Sequence, residues 1–149
     1  GFPVAACLAT EAAAAGMTPG THGSTFGGNP LAMVVASEVL DIMLEPGFLD
    51  SVRGTGGHLR ARLEAFVAEH PELFEDARGE GLLLGLKCRR TVRDVLQALR
   101  VEGVLSVAAG NDVLRLLPPL TLSIPEADEL VERLRRAAIA LSNPAGIAA

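Results

Sequence analysis

"LFEDARGEGLLLGLKC", Leu73 to Cys88, is the stretch in which the chain stops repeating like a helix. Ahead of it, Leu59, Leu63, Phe66 and Val67 share one face of a helix expected from Phe48 to about His70, which Pro71 ends. Inside it, the spacing of Gly79, Gly81 and Gly85 predicts two strand pieces, the second of them, Leu82 to Cys88, well buried. Downstream, "TVRDVLQALRVEG" predicts an amphipathic helix on Val92, Val95, Leu96 and Leu99, closed by Gly103. "VLSVAAGNDVLRLLP" predicts a hairpin that turns at Gly110-Asn111-Asp112. "SIPEADELVERLRRAAIAL" predicts a last helix with a capping box at Ser123 and Glu126 and an apolar face at Leu130, Leu134 and Leu141. The tail "SNPAGIAA" is expected to fray. Strand, strand, helix, strand, strand, helix implies an α+β sandwich, a mostly antiparallel sheet with helices on one face.

Upstream, residues 1–10 read as a buried strand-like run, and "EAAAAGMTPG" as a short helix or turn. A loop rich in glycine and hydroxyls follows, "GTHGSTFGGNPLA", Gly20 to Ala32. Asn29 is a good N-cap and Pro30 suits the first helical position, so a helix is expected through Leu31, Val34, Val35, Val39, Ile42 and Met43 to the break at Pro46-Gly47. A first residue that is not Met, leading at once into an apolar run, implies a chain cut inside a larger protein.

At 149 residues the chain is one domain, or one and a piece. With no Trp, no Tyr and five Phe, its core must be built from Leu, Val and Ala. A net charge of −5 with scattered arginines argues against a nucleic-acid surface. Cys7 and Cys88 lie far apart and read as buried thiols in a reducing compartment. No apolar run approaches the ~18 residues of a membrane span, which excludes a membrane role, and a cytoplasmic location is expected.

Glycines let backbone N–H groups approach a ligand, hydroxyls add donors without bulk, and a helix N-terminus adds a favourable dipole. Gly20 to Asn29 ahead of the Pro30 helix combines all three, which suits an anion, with Thr25 and its neighbour Ser24 as donors to a phosphate oxygen. The plain alternative is a turn with a well-made N-cap. "GTHGSTFGGNPLA" also closely resembles the segment that class III pyridoxal-phosphate aminotransferases, above all acetylornithine and ornithine aminotransferases, place near the cofactor phosphate. "GFPVAACLAT" resembles that family's run directly after its Schiff-base lysine, "DVLRLLPPLTL" its late strand, and "SIPEADELVERL" its final helix.

The resemblance implies the C-terminal part of a fold-type I transferase. Residues 1–29 would close the large domain and carry the phosphate loop, 30–46 would be a connecting helix, and 47–149 the C-terminal small domain. It implies pyridoxal 5'-phosphate as cofactor, held in part by Ser24 and Thr25. It also implies amino-acid and 2-oxo-acid substrates, and a homodimer with a shared active site in which Thr25 serves the neighbouring subunit. The parent reaction would pass an amino group between N-acetylornithine, or a related ω-amino acid, and 2-oxoglutarate. By the family's pattern the lysine lies before Gly1, so the fragment alone is expected to be inactive.

Lys87 is the only lysine present and reads as a strand-end residue with its head in water. Arg115, inside the otherwise apolar "VLRLLPPL", is by pattern either a solvent-facing edge-strand arginine or a bidentate carboxylate ligand. The resemblance implies that it meets a substrate carboxylate or a glutamate that alternates with it. His22, His58 and His70 share no ligand spacing, and no metal site is read. His22 reads as a turn residue, His58 and His70 as solvent-facing. "RGTGG", Arg53 to Gly57, reads as close helix packing or a kink. Glu69, Glu72, Glu75, Asp76 and Glu80 read as a solvated rim. A second possibility is a free-standing, non-catalytic α+β module that binds an amino acid or a protein partner.

Overall fold

A computed structural model describes residues 2–142. The chain divides into two compact units, Gly1–Phe48 and Leu49–Ala149. The expected fraying of the tail falls on residues 143–149, outside those described.

The first unit holds two helices. α1 (Glu11–Ala14) is a single turn capped by the Thr10 hydroxyl. α2 (Pro30–Leu44) starts where the sequence predicts, with the Asn29 side chain accepting from Ala32 N at 2.9 Å and Pro30 at the first position. Ala32 is the only residue of α2 that is buried. Residues 2–10 form no strand and are exposed, contrary to the expected buried strand. A strand needs a neighbour to take its backbone hydrogen bonds, and this unit has none among the described residues. Cys7, expected to be buried, is exposed for the same reason, whereas Cys88 is buried and burial pushes its thiol pKa up.

The second unit carries the core. α3 (Phe48–Glu69), β1 (Phe74–Glu80), β2 (Leu83–Cys88), α4 (Val92–Val101), β3 (Val107–Ala109), β4 (Val113–Leu116) and α5 (Ile124–Ser142) follow in order. The sheet is antiparallel throughout, in the order β1-β2-β4-β3. Alternation along β2 and β4 turns Leu84, Leu86, Cys88, Leu114 and Leu116 to one face, where they join Leu59, Leu63 and Phe66 of α3, Val95 and Leu99 of α4, and Val131, Leu134 and Leu141 of α5. Helices thus cover that face and leave the other open. The capping box of α5 is formed, with Ser123 N donating to Glu126 Oε2 at 2.8 Å. "RGTGG" lies within the unbroken α3, and a Cβ on Gly56 would stand 3.0 Å from the Gly81 carbonyl oxygen, so close packing explains that glycine.

One expectation for a charged residue changes. The acidic stretch is the solvated rim expected, with Glu69, Glu72, Glu75 and Glu80 exposed, and within it Glu69 is held by both Arg135 Nε and a terminal nitrogen, each at 2.9 Å, and Asp76 by Arg78. His58, expected to face solvent, lies with Nε2 2.8 Å from Asp128 Oδ1, tying α3 to α5. His70 packs its ring against Phe66, centroids 4.9 Å apart. The pairing partners sit about seventy positions downstream of α3, out of reach of any local pattern.

The His58 hydrogen bond holds the Asp128 carboxyl below its usual pKa, and the Arg135 hydrogen bond does the same for Glu69. A carboxyl whose pKa is lowered on folding stabilises the fold above its unfolded value, near pH 4, and loses that contribution as pH falls through the folded value. Asp128→Asn should therefore unfold earlier than the parent at pH 7, and the gap between the two midpoints should narrow once the pH falls below about 4. Urea unfolding at both pH values checks this. A gap that stays constant would refute it.

Candidate functional site

Ser24 and Thr25 sit in the first unit, in the loop that feeds α2. Three contacts shape that loop. Gly27 N donates to Ser24 Oγ at 2.9 Å, Asn29 Nδ2 donates to the Phe26 carbonyl at 2.7 Å, and Asn29 Oδ1 takes the Ala32 N–H. The Ser24 side chain fills the place a Cβ on Gly27 would take, at 2.8 Å from its Oγ, so glycine is required there by close approach. Ser24 accepts one bond and keeps its own proton to donate. Thr25 is exposed, and its hydroxyl makes no hydrogen bond among the described residues. Ser24, Gly27, Gly28 and Asn29 line a cavity of about 570 Å³ together with Phe2 and Met33, while Thr25 lies outside that lining. In the sequence Asn29 stands out only as a helix cap. It also closes the loop onto itself through Phe26, a double use that the Asn-Pro pair alone does not reveal.

Arg115 sits in the second unit, on β4. That strand lies between β2 and β3, so the edge-strand expectation is corrected: β3 forms the edge, because the chain crosses it before pairing β4 to β2. Arg115 alternates with the buried Leu114 and Leu116 and therefore projects from the face without helices. That face carries two other cations, and both are committed. Arg78 grips Asp76, with Nε to Oδ1 at 2.7 Å, which keeps the Asp76 carboxyl below its ordinary range. Lys87 Nζ donates to the Asn111 carbonyl at 2.6 Å, pinning the β3–β4 turn where Asn111 and Asp112 take positive φ. Its head thus takes a backbone oxygen at an exposed position, where its other N–H groups still meet water. Arg115 is exposed and has no hydrogen-bonding or ion-pair partner among the described residues. A free guanidinium on an open sheet face is a ready carboxylate ligand.

Comparison with known proteins decides the family. Residues 1–138 match the family described as Aminotransferase class-III. The chain belongs to the class III aminotransferases. Acetylornithine aminotransferase of Mesorhizobium japonicum is 50% identical over 149 residues, covering 100% of this chain and 37% of that protein. Among solved structures, the ornithine aminotransferase of Toxoplasma gondii superposes with a TM-score of 0.73 at 31% identity, over 86% of this chain and 31% of that one, and is described with partial occupancy of PLP at its active site. Acetylornithine aminotransferase of Elizabethkingia anophelis gives 0.71 at 29% identity, over 82% and 33%. The chain therefore spans about a third of the length of the relatives it matches. As a class III aminotransferase segment it has the α+β architecture anticipated from its strand and helix order. Among the described residues, no helix is long and apolar enough to cross a membrane.

Proposed function

We infer that this chain is a working part of an acetylornithine aminotransferase, supplying a phosphate-end donor for pyridoxal 5'-phosphate and a carboxylate ligand for the substrates. The observation that carries the cofactor reading is the loop Ser24–Asn29, which holds itself closed with its own contacts and leaves the Thr25 hydroxyl uncommitted. The residues fit the phosphate end of the cofactor. Its amine-linked end would need a lysine in the family's pattern, and Lys87, which donates to the Asn111 carbonyl, does not lie in one.

When bound, pyridoxal phosphate supplies an electron sink for bonds at the substrate α-carbon. Thr25 would donate its hydroxyl to a phosphate oxygen, with Ser24 beside it and loop N–H groups completing the cradle. Arg115 would bind a carboxylate of the amino acid or of 2-oxoglutarate and so fix which end of the substrate points to the reacting atoms. The proton-transferring lysine and the remaining substrate ligands would come from outside these residues, so the chain by itself should not transaminate. A homodimer with a shared active site, working in the cytoplasm in arginine biosynthesis, completes the proposal. Support for an assembly comes from the first unit, which exposes Leu8 at 93%, Phe26 at 81% and Leu44 at 74% and has no core of its own. The non-catalytic module has no comparable support, since the family match runs through nearly the whole chain.

Thr25→Ala in the whole protein should weaken pyridoxal phosphate binding by about 10- to 100-fold, the worth of one hydrogen bond to a charged group. Equilibrium dialysis against the free cofactor measures it. Borohydride trapping of the same holoenzyme should label a lysine other than Lys87. Unchanged affinity in Thr25→Ala would remove that residue from the phosphate site, and an adduct on Lys87 would overturn the partial-site reading.

A further inference from the structure

The open face around Arg115 contains one position whose lack of a side chain is enforced by a neighbour. In the β2–β4 ladder Gly85 stands directly opposite Arg115, and in the β3–β4 ladder Val107 stands opposite it on the other side. Directly opposed residues have Cβ positions ~5 Å apart, so any side chain at 85 would lie alongside the arginine stem. Glycine contributes no side chain to that flank. The space over Gly85 is not empty, however: a Cβ built there would meet Val113 Cγ1 at 2.8 Å and Arg78 Cγ at 3.7 Å. Val113 is the residue two before Arg115 on the same strand, hence its neighbour on the same face. Its isopropyl group therefore reaches diagonally across the strand pair into the space over Gly85.

We propose that Gly85 and Val113 together are positioning residues for Arg115, and that Gly85 sets the specificity of the carboxylate site. This rests on the assignment of Arg115 to a substrate carboxylate. With glycine at 85, Val113 fills the space over β2 that flanks the arginine stem. With any larger residue at 85, Val113 must give up that space and the new side chain stands alongside the arginine stem. The guanidinium is then displaced from the line on which it meets the carboxylate, while the core on the other face of the sheet is untouched. Gly85 does not contact substrate in this scheme. It acts through Val113.

The test is a steric double-mutant cycle in the whole holoenzyme, reading kcat and KM for 2-oxoglutarate together with the thermal midpoint. Gly85→Ala should raise KM about tenfold with kcat little changed, because a misplaced binding group costs affinity first. Val113→Ala removes the methyl that the new Cβ strikes, so Gly85→Ala with Val113→Ala should recover most of the lost KM. Arg115→Ala in the same assay separates the two levels of inference. If Arg115→Ala leaves KM unchanged, the assignment of Arg115 fails. If Arg115→Ala raises KM while Gly85→Ala does not, or if Val113→Ala fails to rescue it, the positioning role alone is overturned. Should Gly85→Ala fail to fold, the cycle is read from Gly85→Ala with Val113→Ala against Val113→Ala: equal KM values within that pair support the scheme, and a raised KM in the double variant overturns it.

Discussion

Gly79→Ala is expected to lower the stability of the second unit by roughly 3–5 kcal/mol, a large part of what a domain of this size has to lose. Gly79 lies in β1 at φ +123°, a backbone region closed to side chains. A Cβ there would come within 2.1 Å of the Leu83 carbonyl oxygen and 2.9 Å of Leu84 Cα. Those are backbone atoms of the neighbouring strand, held in register by pairing of Gly79 with Leu84. They cannot step aside as a flexible side chain could. The Gly79 carbonyl is also the acceptor for an Arg60 guanidinium N–H at 2.7 Å, so a shift of β1 breaks its tie to α3. Gly57→Ala supplies the opposite sign. It sits in α3, exposed, with nothing within 4 Å of an added Cβ, and should gain about 0.5–1 kcal/mol. Thermal unfolding of both variants decides the matter: equal shifts, or a stable Gly79→Ala, would sink the account of the hairpin.

The same hairpin shows what could be read without coordinates. Glycines at 79, 81 and 85 between clustered leucines announce a strand pair, and capping signals such as Asn29-Pro30 and Ser123 with Glu126 act over three residues, so local chemistry suffices to place them. Thr25 and Arg115 stand out in the sequence for another reason: each is a residue type at odds with its surroundings, a hydroxyl among glycines and a cation among leucines. What escaped depends on distance along the chain. His58 meets Asp128 and Glu69 meets Arg135 across 70 and 66 positions, so neither looks paired in the sequence. The central place of β4 follows from which strand pairs with β2, a tertiary choice that the run "VLRLLP" does not encode. Residues 2–10 have the composition of a buried strand, but composition cannot provide the neighbouring strand on which such a run depends. Gly85 illustrates the limit most sharply. Its importance lies in Val113, 28 positions on, and only the register of two ladders brings them together.

Arg115→Ala should cut kcat/KM for a dicarboxylic 2-oxo acid by about 100-fold in the whole protein, the expected loss from a bidentate, charge-assisted pair worth about 3 kcal/mol. The loss should appear mainly in KM, because in the proposed role the guanidinium would hold the carboxylate in both the bound substrate and the transition state. Stability should hardly move. The side chain is exposed and has no partner among the described residues, so its removal breaks no contact within the fold and should change the unfolding midpoint by no more than about 0.5 kcal/mol equivalent. That separation is what makes the prediction decisive, since a structural arginine would lose stability and activity together. Arg115→Lys keeps the charge but gives up the planar two-point grip, and it should recover only part of the affinity. A monocarboxylic acceptor lacking the second carboxylate should be far less sensitive to either change, because the arginine's second partner is then missing in parent and variant alike. If both acceptors lose equally, Arg115 acts on something common to them, such as the cofactor or the α-carboxylate. If neither loses, the open cation of this sheet face is not a substrate ligand. The commitment of Arg78 to Asp76 and of Lys87 to Asn111 leaves no other cation on that face, among the described residues, ready to take over the role.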